Sequence, residues 1–568
     1  MSAGAVDALR MPQEVTGMTV RPDSKSCWRW VLLVASVYIF GLASLGVALR
    51  NNLGFPLDDS WIHQVIARNL VEFHTFGFTP GVASSGSSST LWSLVLALNY
   101  LLFPHASPVY FPLALNSLML IACGLLLWHM AIADGLPRAE ALALALLPGL
   151  SGNLIWLAFT GMEHIMFLTF SLAAIALWFR RDGTIWPSAL AGLALGALGA
   201  TRPEGLALCG LLFVFYRQCG RSFADVVRAG VVAAMFLVPS FLLNLKTSGA
   251  LLPVTLRGRR FMYSGSDKLH VGRSSFRGLI LNTYKDVLAH NFFHTHTGWL
   301  VTALVALAFY GLLVLLRRFT SRAAMLCLWA TLDYVAYCVT LPEPGHGGRY
   351  QPFVLLLFPP LLAIALVDLS RRLARRIGAP CAGIALQWVS VGLIAVLTAA
   401  TLPRWEAVLR DGTAVIDTTH ERLALWISDN YPPNTRMAVF DIGAIGYFAN
   451  VQVVDLGGLV DRNYLPYLIS GRVPDYLQER GVEYVILPHT GSETHFGDLL
   501  HLLHNPALRL VPIHTVAADP IAWRNAFAYT GNAFQEQTLY RIVPVPPSEQ
   551  SPAATAEATR IAANAQPE

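Results

Sequence analysis

The stretch Trp30 to Leu49 runs for twenty residues without a charged side chain. A helix needs about 20 apolar residues to cross a bilayer core of about 30 Å. Runs of this kind recur along most of the chain, which fixes lipid as the solvent for its first four hundred or so residues. On that rule there are about eleven spans, near 30–49, 110–132, 139–156, 163–179, 185–200, 203–217, 229–246, 299–316, 323–341, 351–369 and 381–402. The fifth and sixth are short for a full crossing. The segment Thr90 to Phe103 is shorter still and is expected to lie on the membrane or dip into it. A composition of 54% hydrophobic and only 13% charged residues exceeds what a soluble globular chain tolerates.

Charge supplies orientation. The basic residues sit in short clusters between apolar runs: the N-terminal group Arg10, Arg21, Lys25 and Arg29; then Arg138, Arg180 with Arg181, Arg217 to Arg228, Arg317 to Arg322, and Arg371 to Arg376. All fall on one side if every span crosses, and the positive-inside rule makes that side cytoplasmic. The first span has no convincing cleavage site and is read as uncleaved. The net charge of +5 is small, and no basic face is present, so nucleic acid is not an expected partner. The seven cysteines form no CxxC pair and suggest neither a disulfide nor a metal framework.

These signals divide the chain into a cytoplasmic segment 1–29, a membrane domain 30–402 with a first outer loop 51–109 and a basic outer loop 247–298, a soluble extracytoplasmic domain 403–543, and a tail 544–568 rich in Pro, Ala and Ser that is expected to be disordered. In the soluble domain the short apolar runs Met437 to Phe440, Val451 to Val454 and Tyr484 to Leu487 alternate with helical stretches at Glu421 to Asp429 and Pro474 to Arg480, predicting a small α/β fold. The fold class is thus a polytopic α-helical membrane protein with a C-terminal α/β domain. No internal repeat is present, which argues against an inverted-repeat transporter.

The polar residues that could carry chemistry gather at the outer ends of spans. Asp58 stands where an N-cap belongs, ahead of a helix with Ile62, Val65, Ile66 and Leu70 on one face. A carboxylate held ionised there suits a group that must accept a proton or hold a cation, or it simply caps an interfacial helix. In Thr201-Arg202-Pro203-Glu204-Gly205, an Arg and a Glu lie at or below the membrane surface, where ionisable groups are costly unless paired or functional. They serve either a site or a stabilised helical hairpin. Glu163 with His164 opens another span, as interfacial cap or as site. His346, Arg349 and Tyr350 follow a glycine-rich turn at a further helix start. The Arg349 fork and the helix N-H groups there make an anion site, the alternative being a snorkelling arginine. The basic loop carries Arg257, Arg259 and Arg260 on the side where positive charge is disfavoured, and phosphate contact would account for them. Long loops also translocate regardless of charge. His290, His294 and His296 lack metal-ligand spacing, so no metal site is assigned.

Taken in order, Leu57-Asp58-Asp59-Ser60-Trp61-Ile62, Ala67-Arg68-Asn69-Leu70, Thr79-Pro80-Gly81, Ser88-Ser89-Thr90-Leu91-Trp92, Gly161-Met162-Glu163, Thr201 to Gly205, and His346-Gly347-Gly348-Arg349-Tyr350 resemble the GT-C superfamily of polyprenyl-phosphate-dependent glycosyltransferases. They are most similar to the cell-wall arabinofuranosyltransferases that use decaprenyl-phosphate-arabinose. Thr90 departs from the pattern, standing where those relatives carry proline. The runs Val439 to Tyr447 and Val454 to Leu459 look like the soluble domain of the same relatives. The resemblance implies a sugar donor on a polyprenyl phosphate, an acceptor hydroxyl on a glycan, lipid or protein, and a bacterial inner membrane with the reaction on its outer face. It implies Asp58, or alternatively Asp59, as general base, with Arg349, Arg259 and Arg260 stabilising the leaving phosphate and Arg202 and Glu204 shaping the cavity. No cofactor is required, although a divalent cation near Asp58 and Asp59 is compatible. Asp441 and Asp455 read as turn residues. A secondary transporter or lipid-linked sugar flippase is the rival reading, and it would place such charges nearer the bilayer midplane.

Overall fold

The computed structural model describes residues 24–546 except 85, 252, 254, 257, 260, 262–277, 279, 281–282, 293–296, 318–320, 342–343, 490–499, 501, 503–504 and 532–533. Each apolar stretch read from the sequence is helical. In chain order the helices are α1 (Ser24–Gly46), α2 (Asp59–Glu72), α3 (Thr90–Leu102), α4 (Tyr110–Ala133), α5 (Arg138–Leu146), α6 (Gly152–Phe159), α7 (His164–Trp178), α8 (Trp186–Thr201), α9 (Gly205–Val214), α10 (Phe223–Ser248), α11 (Gly298–Leu316), α12 (Arg322–Thr340), α13 (Pro352–Arg376) and α14 (Pro380–Ala399). The chain continues through α15 (Leu402–Ile416) and α16 (Arg422–Asn430) into the soluble part.

Among the described residues, six helices are long and apolar enough to cross a membrane. A seventh span is counted if α5 and α6, bent by 54°, are taken together. The expectation of about eleven full crossings therefore meets a set of shorter helices. At 1.5 Å per residue, α7, α8 and α9, of 15, 16 and 10 residues, reach about 23, 24 and 15 Å. Thr90 to Leu102 forms the short helix expected there, with Leu94, Leu98, Leu101 and Leu102 exposed along it. Five of the six cysteines whose side chains are described are buried and free, and Cys381 is exposed.

The helix ends sort into two layers. At one, Arg221 donates through its fork to the carbonyls of Trp178, Leu177 and Arg180. Arg322 pairs with Asp134 at 2.9 Å and donates to the carbonyl of Phe179, and Arg371 pairs with Glu140 at 2.8 Å. Arg221 and Arg322 thereby satisfy carbonyls at the C-terminal end of α7. At the opposite ends of α7, α8, α12 and α13 lie Glu163, Arg202, Tyr337 and Arg349.

The soluble part is an α/β domain of strands β1 (Arg436–Val439), β2 (Gln452–Asp455), β3 (Tyr484–His489), β4 (Leu508–Ala517) and β5 (Glu536–Pro544), with helices α17 (Ile442–Phe448), α18 (Tyr464–Ile469), α19 (Val473–Glu479) and α20 (Pro520–Thr530). The sheet order is β2-β1-β3-β5-β4, parallel from β2 to β3 and antiparallel from β3 to β4. Strands β1, β2 and β3 match the three apolar runs read from the sequence. Residues 547–568, most of the tail expected to be disordered, lie outside the described set.

This domain is joined to the membrane body by buried aromatic contacts. Trp405 packs against Trp156 (ring centroids 5.4 Å) and Tyr529 (6.0 Å), and Trp61 lies against Tyr447 and Phe448 at 4.8 and 4.7 Å. Such pairs add about 0.5–1.5 kcal/mol each beyond the area they bury.

Candidate active site

Helix α2 grips α17 at both ends. Asp58 makes no capping bond to its own helix, contrary to the sequence expectation. Its carboxylate instead accepts N-H donors of Gly443 and Ala444, both at 2.7 Å, at the start of α17. Arg68 donates to the carbonyls of Tyr447 and Gly446 at the other end and lies over the Tyr447 ring. An anion at the N-terminus and a cation at the C-terminus both complement the helix dipole. The approach is close enough to demand glycine: a Cβ on Gly443 would lie 2.1 Å from the Asp58 carbonyl oxygen.

Burial pushes the Asp58 carboxyl up to about 6, against the pull of His420 and of the two N-H donors, and Asp441 adds to the rise. His420 is itself raised: burial opposes its charge, but the bond from Nε2 to Asp441 at 3.1 Å and the nearby Asp58 outweigh it. Asp441 thus holds His420, and Asp455 accepts N-H bonds from Gly457, Leu459 and Val460, a turn role as expected.

Asp59 points elsewhere. Its Oδ2 accepts from Arg259 Nη2 at 2.7 Å and from Arg349 Nη2. Burial alone would raise this carboxyl, but the two guanidiniums, with His346 beyond them, hold it well below the usual range. Arg349 leaves the turn His346-Gly347-Gly348, where Gly347 and Gly348 adopt φ of +63° and +80°, a region open to glycine at little cost. A Cβ on Gly347 would also strike the Trp156 ring at 2.6 Å. His346 donates from Nδ1 to the Thr530 carbonyl at 3.1 Å, and burial together with Arg349 pushes it down to about 3.

A second cluster surrounds Arg202. Its fork donates to Glu204 (2.6 Å), to Glu163 and His164 (both 3.0 Å), and to the Tyr337 hydroxyl, which in turn donates to Glu204 at 2.5 Å. Tyr350 joins the clusters: its ring stacks on Tyr337 at 5.6 Å, and the guanidinium carbons of Arg349, Arg202 and Arg259 lie 5.2, 5.6 and 5.7 Å from its centroid. The turn carrying Glu163 is fixed by donors from three elements. Ser60 reaches the Thr160 carbonyl, Trp92 that of Gly161 at 3.0 Å, and Asn116 that of Met162 at 2.9 Å.

Asp59, Glu163, His164, Arg202, Glu204, Arg259, Arg349 and Tyr350 therefore converge, with His346 at their edge and Asp58 turned toward the soluble domain. Arg257 and Arg260 lie outside the described residues. Among the described residues no three His, Cys, Asp or Glu side chains group as metal ligands. A divalent cation at Asp58 and Asp59 would share oxygens with the N-H and guanidinium donors already there. Sequence reading missed Tyr337, the buried Asp333 one turn before it, and His63, whose Nε2 lies 3.6 Å from Glu163. An acid and a tyrosine four residues apart in an apolar span are the signal that was available, since ionisable groups in spans are seldom idle.

The fold is shared with solved structures. ArnT from Cupriavidus metallidurans in the apo state matches with a TM-score of 0.55 at 15% identity, over 91% of this chain and 98% of that one. The same protein bound to undecaprenyl phosphate gives 0.53 at 15%, over 92% and 99%. Archaeal oligosaccharyltransferase AglB from Archaeoglobus fulgidus, in complex with an inhibitory peptide and a dolichol-phosphate, gives 0.51 at 14%, over 81% of this chain and 70% of that one. Residues 411–540 match a family described as a domain of unknown function (DUF8728), and no curated protein sequence matches the chain.

Proposed function

We propose that this GT-C-fold membrane protein is a glycosyltransferase that moves a sugar from a polyprenyl-phosphate donor to a hydroxyl of a glycan, lipid or protein acceptor on the extracytoplasmic face of a bacterial inner membrane. Arabinofuranose is the sugar that the sequence motifs favour. The observation carrying the proposal is the convergence of Arg259 and Arg349 on Asp59, at helix ends opposite the basic layer. Two forked cations at a membrane boundary suit the phosphate of a lipid-borne donor. The neighbouring folds solved with undecaprenyl phosphate and with a dolichol-phosphate support that ligand class.

Asp58 takes the acceptor proton. Its affinity for a proton near neutrality suits a general base, and the two N-H donors fix its oxygens while leaving each a further lone pair. Asp59, with its proton affinity suppressed by two arginines, is a poorer base. As the acceptor oxygen bonds to the anomeric carbon, the bond from that carbon to the phosphate oxygen breaks and its electron pair leaves with polyprenyl phosphate. Arg259 and Arg349 stabilise the charge that develops there. Arg202, Glu163 and Glu204 hold Tyr350 and the Met162 turn in place.

The test is transfer from a synthetic polyprenyl-phosphate arabinofuranose in proteoliposomes, comparing the parent with Asp58→Asn. A glycosidic product from the parent and a loss of about 10²–10⁴-fold in the variant are expected. Movement of the lipid-linked sugar across the bilayer without product would favour the flippase reading instead.

A further inference from the structure

Arg349 is only 1% exposed, yet it is the strongest candidate for contact with a phosphate. The Asp59 carboxylate accepts the same Nη2 that a phosphate oxygen would use, and Tyr350 lies against the rest of the guanidinium. Asp59 itself is about a fifth exposed, as is Arg259, so this carboxylate lies between solvent and the buried arginine. A phosphate cannot bond Arg349 from the accessible side while Asp59 keeps its place, because two anions would then share one donor edge without screening.

We infer that Asp59 is an internal stand-in for the donor's phosphate: it occupies the arginine pair in the resting protein and is displaced when the lipid phosphate binds. This rests on the donor class proposed above and deepens it. The charge change along the reaction gives the arrangement a use. The donor's phosphodiester carries one negative charge, whereas the released monoester carries about 1.5 to 2 at neutral pH. The extra charge draws product to Arg259 and Arg349 more strongly than donor, and the Asp59 carboxylate, held beside the same donors, competes for them and so limits that retention.

The experiment measures binding of undecaprenyl phosphate to the full chain in detergent, at fixed salt, for the parent, Asp59→Asn and Asp59→Glu. Removing the competing charge should lower Kd about tenfold in the Asn variant. The Glu variant, which keeps an anion on the arginines, should bind no more tightly than the parent. If the Asn variant does not fold, Asp59→Ser carries the same expectation. Binding to the parent that neither neutral variant tightens would overturn the inference alone. No binding to the parent at all would overturn the donor assignment along with it.

Discussion

At the residue scale the two adjacent aspartates are made different by what lies hundreds of positions away. Asp58 meets N-H donors 385 and 386 residues along the chain, and Asp59 meets guanidiniums 200 and 290 residues along it. Their sequence neighbourhood is the same, so local reading found the pair but gave Asp58 the wrong helix to cap. The pH dependence follows from the partners. Asp58 can accept a proton only when ionised, so kcat/KM for transfer should fall as pH drops through about 6, where an ordinary aspartate would hold activity to about 4. His420 lowers the Asp58 value, so His420→Gln should move this acid limb upward in pH. A limb that stays put on a pH-rate profile would separate His420 from the base. Arg202 makes a stability prediction of a different kind. Its fork serves Glu204, Glu163 and Tyr337 at once, and a lysine ammonium cannot reproduce that geometry. Breaking a buried ion pair costs about 3–5 kcal/mol, so Arg202→Lys should lower Tm in detergent despite conserving charge, and should reduce transfer with it.

At the element scale the sequence was most informative where one residue type fills a whole segment. Apolar runs marked the membrane helices, and bounded apolar runs marked β1, β2 and β3. Bends were not legible, because hydropathy through 139–156 is continuous while the chain turns by 54° ahead of α6, at Ser151, whose backbone is extended. Strand β4 was missed for a physical reason: it is an edge strand with mostly exposed positions, so it needs no apolar run. Helix α17 was likewise illegible. It has only seven residues and depends on α2 for both of its end groups. Isolated helices of that length are not stable in water. Gly443→Ala should therefore act on docking rather than on the membrane body. With a Cβ 2.1 Å from the Asp58 carbonyl, α17 must move away, carrying its N-H donors off the carboxylate. Faster amide exchange across 442–448, with unchanged exchange in α4 and α13, is the expected signature, together with a drop in transfer.

At the scale of the whole molecule, the long helices act as struts that hold two chemistries apart. One layer of helix ends is bound by Arg221, Arg322 and Arg371 to carbonyls and single acids. The other carries the carboxylate and arginine clusters and the soluble domain. The positive-inside rule predicts that the first layer is cytoplasmic, and the proposed donor, presented to the outer face, requires the second to lie outside. Cysteine labelling tests this on the intact protein. Cys381 is exposed at the start of α14, beside the Arg371 to Arg376 cluster, whereas the other described cysteines are buried. Ser428 is exposed on α16 in the soluble domain. In intact spheroplasts a membrane-impermeant maleimide should modify a Ser428→Cys variant at once and Cys381 only after permeabilisation. The reverse order would place the arginine and carboxylate clusters in the cytoplasm, where a donor already flipped to the outer leaflet cannot reach them, and the assignment of an outer-face transferase would fall with it.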